Sequence, residues 1–145
     1  MSEPACPECR VASDGALVRG GSPVLLGLFA VHPRLESPPV PGWLVVAPQR
    51  HVEQWDALEA RELLELGPLV ARVAAALRAE TPTARVYVSV FNEVLPHFHI
   101  HVVARPPELP VDDRGARLFL SEGQASDAES EETWRRVSAR LLAAP

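Results

Sequence analysis

Residues 97–103 read His97-Phe98-His99-Ile100-His101-Val102-Val103 and place three of the chain's five histidines in strict alternation with apolar residues. Successive side chains of a β-strand point to opposite faces. The spacing therefore predicts a strand with His97, His99 and His101 on one face and Phe98, Ile100 and Val102 on the other. A helix would scatter the same residues around its circumference. Three imidazoles on one face repel one another when charged, so the arrangement calls for a metal ion or an anion beside it. Two chemistries meet that demand. Three histidine ligands with an open position would form a catalytic zinc centre. Alternatively, a neutral imidazole whose second nitrogen is held as N–H is a nucleophile toward phosphorus, and its neighbours donate to phosphate oxygens as negative charge shifts during transfer.

Both cysteines fall in Cys6-Pro7-Glu8-Cys9. In a reducing compartment such a pair is a metal or redox motif rather than a structural disulfide. Its surroundings do not read as the strand-to-helix entry of a thioredoxin-type unit. His51, directly after an apolar strand, and His97, at the start of the alternating run, are available to complete a Cys₂His₂ set, the donor set of a closed tetrahedral zinc site. A zinc ion on Cys6, Cys9, His51 and His97 would pin the N-terminal segment, a helix start and the histidine strand together.

The remaining pattern supplies the elements that must hold these residues. The chain has 145 residues and is 47% hydrophobic, which suits a single domain over 1–145 with one core. A net charge of −5 without a basic run argues against nucleic acid as a partner. No apolar run reaches the length of a membrane span, and the acidic, polar N-terminus does not read as a signal peptide, so a cytoplasmic location without a membrane partner is expected. Residues 1–15 lack periodicity and read as a loop or knuckle. A short strand is expected over 16–20, a buried strand over 24–31, a loop over the proline-rich 32–42 and a second apolar strand over 43–47. Leu58, Leu63, Leu66, Leu69, Val70, Val73 and Leu77 recur at spacings of three and four, predicting a long helix that starts near 53–56. Pro68 predicts a kink in it, or two consecutive segments. Residues 86–91 read as a strand and 92–96 as a short connection, so this strand and the histidine strand form an antiparallel hairpin. A short element is expected at 117–120 within an otherwise irregular 106–126, and a last helix over 127–142 with Trp134, Val137, Leu141 and Leu142 inward. The order predicts an α+β domain with an antiparallel sheet.

The run from His97 to Val103 fits the His-φ-His-φ-His-φ-φ motif of the histidine triad (HIT) superfamily, which it resembles elsewhere too. Residues 41–51, Pro-Gly-Trp-Leu-Val-Val-Ala-Pro-Gln-Arg-His, look like that family's strand running into a Pro-basic-basic-His sequence. Phe91-Asn92-Glu93 is similar to its Asn-Glu segment, and Cys6-Pro7-Glu8-Cys9 resembles the knuckle of its zinc-containing branch. The resemblance covers about residues 4–106 and leaves 106–145 as a C-terminal extension. It implies a nucleotide hydrolase or nucleotidyl transferase, of the dinucleoside polyphosphate or nucleoside phosphoramidate class, acting at an α-phosphate. The implied nucleophile is His99, which forms a nucleotidyl-histidine intermediate that water then hydrolyses. His101 is implied to contact phosphate and Asn92 to bind near ribose or phosphate. His97 is implied to orient the site and to join Cys6, Cys9 and His51 on a structural zinc, which leaves His99 free of metal for attack. A homodimer is a further expectation. The chain departs from the family's pattern at Trp43, where a histidine is usual, and at Val94-Leu95-Pro96, where a Gly-rich segment with Gln is usual. Both departures remove polar groups, and they motivate an alternative in which the domain binds a nucleotide or partner with little turnover.

Overall fold

The computed structural model of the chain describes residues 5–15, 21–35, 40–120 and 126–143. The strand expected over 16–20 lies outside the described residues. The elements run α1 (Pro7–Asp14), β1 (Val24–Leu26), β2 (Phe29–Pro33), β3 (Trp43–Pro48), α2 (Ala60–Glu80), β4 (Val86–Ser89), β5 (Ile100–Ala104) and α3 (Asp127–Ala143). One five-stranded sheet has the order β1-β2-β3-β5-β4, and every pairing is antiparallel. The fold is thus the expected α+β domain, with β4 and β5 as the expected antiparallel pair.

β3 and β5 are buried at every residue because both faces of the sheet's centre are covered. On one face Leu44, Val46, Ile100 and Val102 pack with Val73 and Leu77 of α2 and Trp134 and Val137 of α3. On the other, Trp43 and Val103 pack with Leu118, Leu109 and Phe119, from the segment that follows β5. The C-terminal portion thereby closes both faces. The element expected at 117–120 is a 3₁₀ turn over Gly115–Leu120.

Four local expectations are corrected. Residues 24–31 are two strands rather than one, because the chain reverses at Gly27-Leu28, where Gly27 has φ +59°, a conformation that favours glycine. Residues 7–14 of the supposed loop are helical. Pro7 occupies the first turn and Gly15 ends the helix in the left-handed region, while Cys9 and Val11 are buried against the rest of the fold. Eight residues are too few for periodicity to show. The long helix begins at Ala60, after a 3₁₀ turn over Trp55–Ala57, so His51 does not open it. Of the two outcomes expected at Pro68, the helix shows no division into two segments: Ala60–Glu80 is one helix with Pro68 inside it. Both Pro68 and Leu64, whose carbonyl Pro68 cannot serve, are exposed, so water can satisfy that carbonyl. Finally, Leu63 and Leu142, assigned inward, are 44% and 65% exposed; Glu62 takes the buried position at the start of α2.

Glu62 is buried because Arg50 meets it as a fork, Nε to Oε1 at 3.0 Å and Nη2 to Oε2 at 2.8 Å. The same carboxylate accepts the backbone N–H of Glu59 at 2.7 Å and forms half of a capping box. The Arg50 hydrogen bond holds the Glu62 carboxyl below the usual carboxylate range, against burial that would raise it. Arg50→Ala strands this carboxylate and is expected to cost about 2–3 kcal/mol of unfolding free energy, read by urea denaturation. Because the folded-state pKa is lowered, the contribution is complete above the unfolded pKa of Glu62 and fades as pH falls through the folded one. The gap between wild type and R50A should therefore narrow in acid. A gap independent of pH would show that Glu62 does not depend on Arg50.

Candidate functional site

Four donor atoms meet where α1 approaches the segments before β5 and after β3. Those of Cys6, Cys9, His51 and His97 all lie within 4.8 Å of one another. Cys6 Sγ is 3.3 Å from His97 Nδ1, Cys9 Sγ is 3.3 Å from His51 Nδ1 and 3.5 Å from His97 Nδ1. Tetrahedral ligands at about 2.0–2.3 Å from one ion stand about 3.5 Å apart, so this set has the dimensions of a Cys₂His₂ metal site. The protein orients the ligands. His97 Nε2 donates to the Pro48 carbonyl at 2.8 Å, which leaves the Nδ1 lone pair facing the thiols. Burial holds His97 below the ordinary imidazole pKa, assisted by His51 and His99, and a metal requires that neutral form.

The histidine row is less uniform than its spacing suggests. Regular strand begins at Ile100; His97 lies at the end of a bend and His99 in the irregular lead-in. The alternation nonetheless holds, since Phe98, Ile100 and Val102 all enter the main core. His97 turns to the cysteines. His99 and His101 stay together, their rings 5.0 Å apart and nearly perpendicular. His99 Nδ1 donates to the His97 carbonyl at 2.7 Å, so its lone pair sits on Nε2. Its backbone N–H donates to Asn92 Oδ1 at 3.1 Å, and Asn92 holds φ +55°, which asparagine tolerates better than most residues. Trp43 Nε1 donates to His101 Nδ1 at 3.0 Å. His99 and His101 line a hollow of about 220 Å³ with Glu8, Leu35, Val45 and Leu95. His101 also borders a hollow of about 200 Å³ formed with Arg34, Trp43, Phe91 and Phe119.

One pair at this site escaped sequence reasoning. Glu8 and His32 are 2% and 0% exposed. His32 Nε2 donates to Glu8 Oε2 at 2.8 Å and Nδ1 to the Pro33 carbonyl at 2.6 Å. An oxygen thus faces each ring nitrogen of His32, one from the Glu8 carboxylate and one from the Pro33 carbonyl. Burial alone would raise the Glu8 pKa, but the charge and hydrogen bond of His32 outweigh it and hold the carboxyl below its usual value. The available signal was arithmetic: His32 was the one histidine without a role, and Glu8 the one charged residue between the cysteines. Of the nearby arginines, Arg50 is engaged with Glu62, and Arg105 lines a larger hollow together with Trp43.

A buried histidine-bearing strand beside a Cys₂His₂ cluster, on an antiparallel α+β sheet, defines a class of protein, and the comparisons place the chain in it. The HIT domain family matches residues 30–108, more than half of the chain, and the chain belongs to that family. No curated protein sequence matches it. Among solved structures, a hypothetical histidine triad nucleotide-binding protein from Sulfolobus tokodaii superposes with a TM-score of 0.72 at 14% identity, covering 94% of this chain and 92% of that one. A Zn-bound histidine triad family protein from Mycobacterium smegmatis gives 0.69 at 17% identity, covering 95% and 94%. Plasmodium falciparum diadenosine triphosphate hydrolase gives 0.60 at 12% identity, covering 83% and 76%. At such identities the likeness is one of fold. Among the described residues, no helix is long and apolar enough to cross a membrane.

Proposed function

We propose that this protein is a nucleotide hydrolase or nucleotidyl transferase that works at an α-phosphate through a covalent intermediate on His99. The observation that carries this reading is the bond from His99 Nδ1 to the His97 carbonyl. It commits the proton to Nδ1 and the lone pair to Nε2, the state a nucleophilic imidazole needs near neutral pH. In the first step Nε2 forms a bond to the α-phosphorus and the bond from phosphorus to the leaving group breaks, that group departing with the electron pair. In the second, water attacks phosphorus and gives up a proton to solvent, the P–N bond breaks and the electron pair returns to Nε2. Asn92 holds the backbone at His99, so its contribution is to aim the nucleophile as well as to border the substrate. His101 donates to a phosphoryl oxygen as charge develops.

Zinc is the ion that best suits the thiol and imidazole donors of Cys6, Cys9, His51 and His97, and all four positions are protein ligands, as in a structural site. When bound it supplies a rigid tie between α1 and the approach to β5. The fold likeness to a diadenosine triphosphate hydrolase and to a Zn-bound family protein supports both parts of the reading. The test is a reaction quenched in alkaline denaturant, with α-phosphate-labelled dinucleoside polyphosphates and nucleoside phosphoramidates. Label should be retained on the protein in a linkage stable to base and labile to acid during the burst. Turnover without any such species would sink the covalent route. The segment between Asn92 and His97 favours a second reading, because Val94, Leu95 and Pro96 offer no polar side chain to a phosphate. A binding module of this kind would show saturable nucleotide binding without a burst.

A further inference from the structure

We propose that Trp43 is a positioning residue that locks His101 into a single tautomer with its hydrogen on Nε2. Its catalytic purpose rests on the nucleotide-transfer reading, while its geometry does not. An indole N–H donates and cannot accept. Trp43 Nε1 is 3.0 Å from His101 Nδ1, so that nitrogen carries the lone pair and the ring's hydrogen lies on Nε2. An imidazolium has hydrogen on both nitrogens and could not take part in this bond.

The sheet sets up the contact. Trp43 pairs with Val103 and Val45 with His101, so Trp43 and His101 are diagonal neighbours on one face of β3 and β5. Both are buried, at 5% and 8% exposure, where water does not compete for Nδ1. The indole is itself held. Its ring meets His101 edge to face at 5.8 Å and Phe119 at 5.4 Å, and the Arg34 guanidinium lies 4.3 Å over it. A histidine at position 43, usual in the family that the sequence resembles, can donate or accept and so would leave both tautomers of His101 open. Tryptophan removes that choice. The outcome is complementary to His99, whose Nδ1–H bond puts the lone pair on Nε2. Two rings 5.0 Å apart thus present opposite characters at Nε2, one to attack phosphorus and one to donate to its oxygen.

The tautomer is directly measurable in the metal-loaded, full-length protein labelled with ¹⁵N-histidine, because multiple-bond ¹H–¹⁵N correlations distinguish Nε2–H from Nδ1–H. The wild-type spectrum is expected to show His101 wholly as Nε2–H. Trp43→Phe keeps an aromatic ring but lacks the donor; its His101 is expected to populate both tautomers. Its kcat should fall by up to about 10²-fold, the scale for losing one preorganised donor, with KM little changed. Trp43→His restores a ring N–H and should recover part of kcat. A wild-type His101 carrying its hydrogen on Nδ1 would overturn the assignment, as would a W43F spectrum identical to wild type. The wild-type spectrum decides even where a variant fails to fold. Pure Nε2–H in a protein that turns over no nucleotide would overturn the transfer reading and leave the lock standing.

Discussion

His99→Ala is expected to lower nucleotide turnover by at least about 10⁴-fold, the scale seen when a covalent nucleophile is removed. Among the described residues, no neighbour is placed to take over the step. The Nδ1 lone pair of His97 faces the cysteines, and the Nδ1 of His101 is occupied by Trp43. Asn92 and Glu8, the other polar residues nearby, are engaged with the His99 backbone and with His32. The substitution removes one hydrogen bond to the His97 carbonyl, worth about 1 kcal/mol, so the fold should survive and binding should be retained. Measuring kcat beside nucleotide affinity and melting temperature separates chemistry from folding. Activity within a few-fold of wild type in a folded H99A protein would end the covalent mechanism.

The second large effect concerns stability. Cys6→Ser is expected to release the bound metal and to cost at least about 3 kcal/mol, because metal-binding free energy becomes folding free energy where the ligands come together only in the folded state. The four proposed ligands come from segments far apart in sequence, and three of them, Cys6, Cys9 and His97, are buried. Without an ion, this cluster keeps its desolvation cost and loses what offsets it. An eight-residue helix has little stability of its own, so α1 should loosen with it. Metal analysis and urea unfolding, with and without chelator, read the two consequences. His99→Ala should keep its zinc, whereas a centre built from all three triad histidines would lose it there and keep it in Cys6→Ser. That last pattern would reverse the assignment of the metal site.

Much of this arrangement was legible from local pattern. The alternation from His97 to Val102 reported which residues enter the core, because period-two burial is a property of an extended backbone wherever it sits. The spacing over Leu66, Leu69, Val73 and Leu77 reported the buried face of α2 for the equivalent reason. Local pattern failed where a single residue carried the decision. Gly27 turned one apolar run into a hairpin, and Glu62 displaced Leu63 from the interior because Arg50 reached it from outside the helix. Sequence by itself thus determined an α+β domain with an antiparallel hairpin and a row of imidazoles backed by the core. Only the tertiary structure decided what each imidazole does. Which nitrogen is donor and which acceptor depends on the partners of each ring, and these come from elsewhere in the chain: the Pro48 carbonyl for His97, the Trp43 indole for His101, and Glu8 for His32. Even for His99 the partner, the carbonyl of His97, is aligned only by the backbone's path into β5. Spacing along a strand sets the face a side chain occupies; the state of an imidazole is set by contacts that folding alone brings within hydrogen-bonding distance.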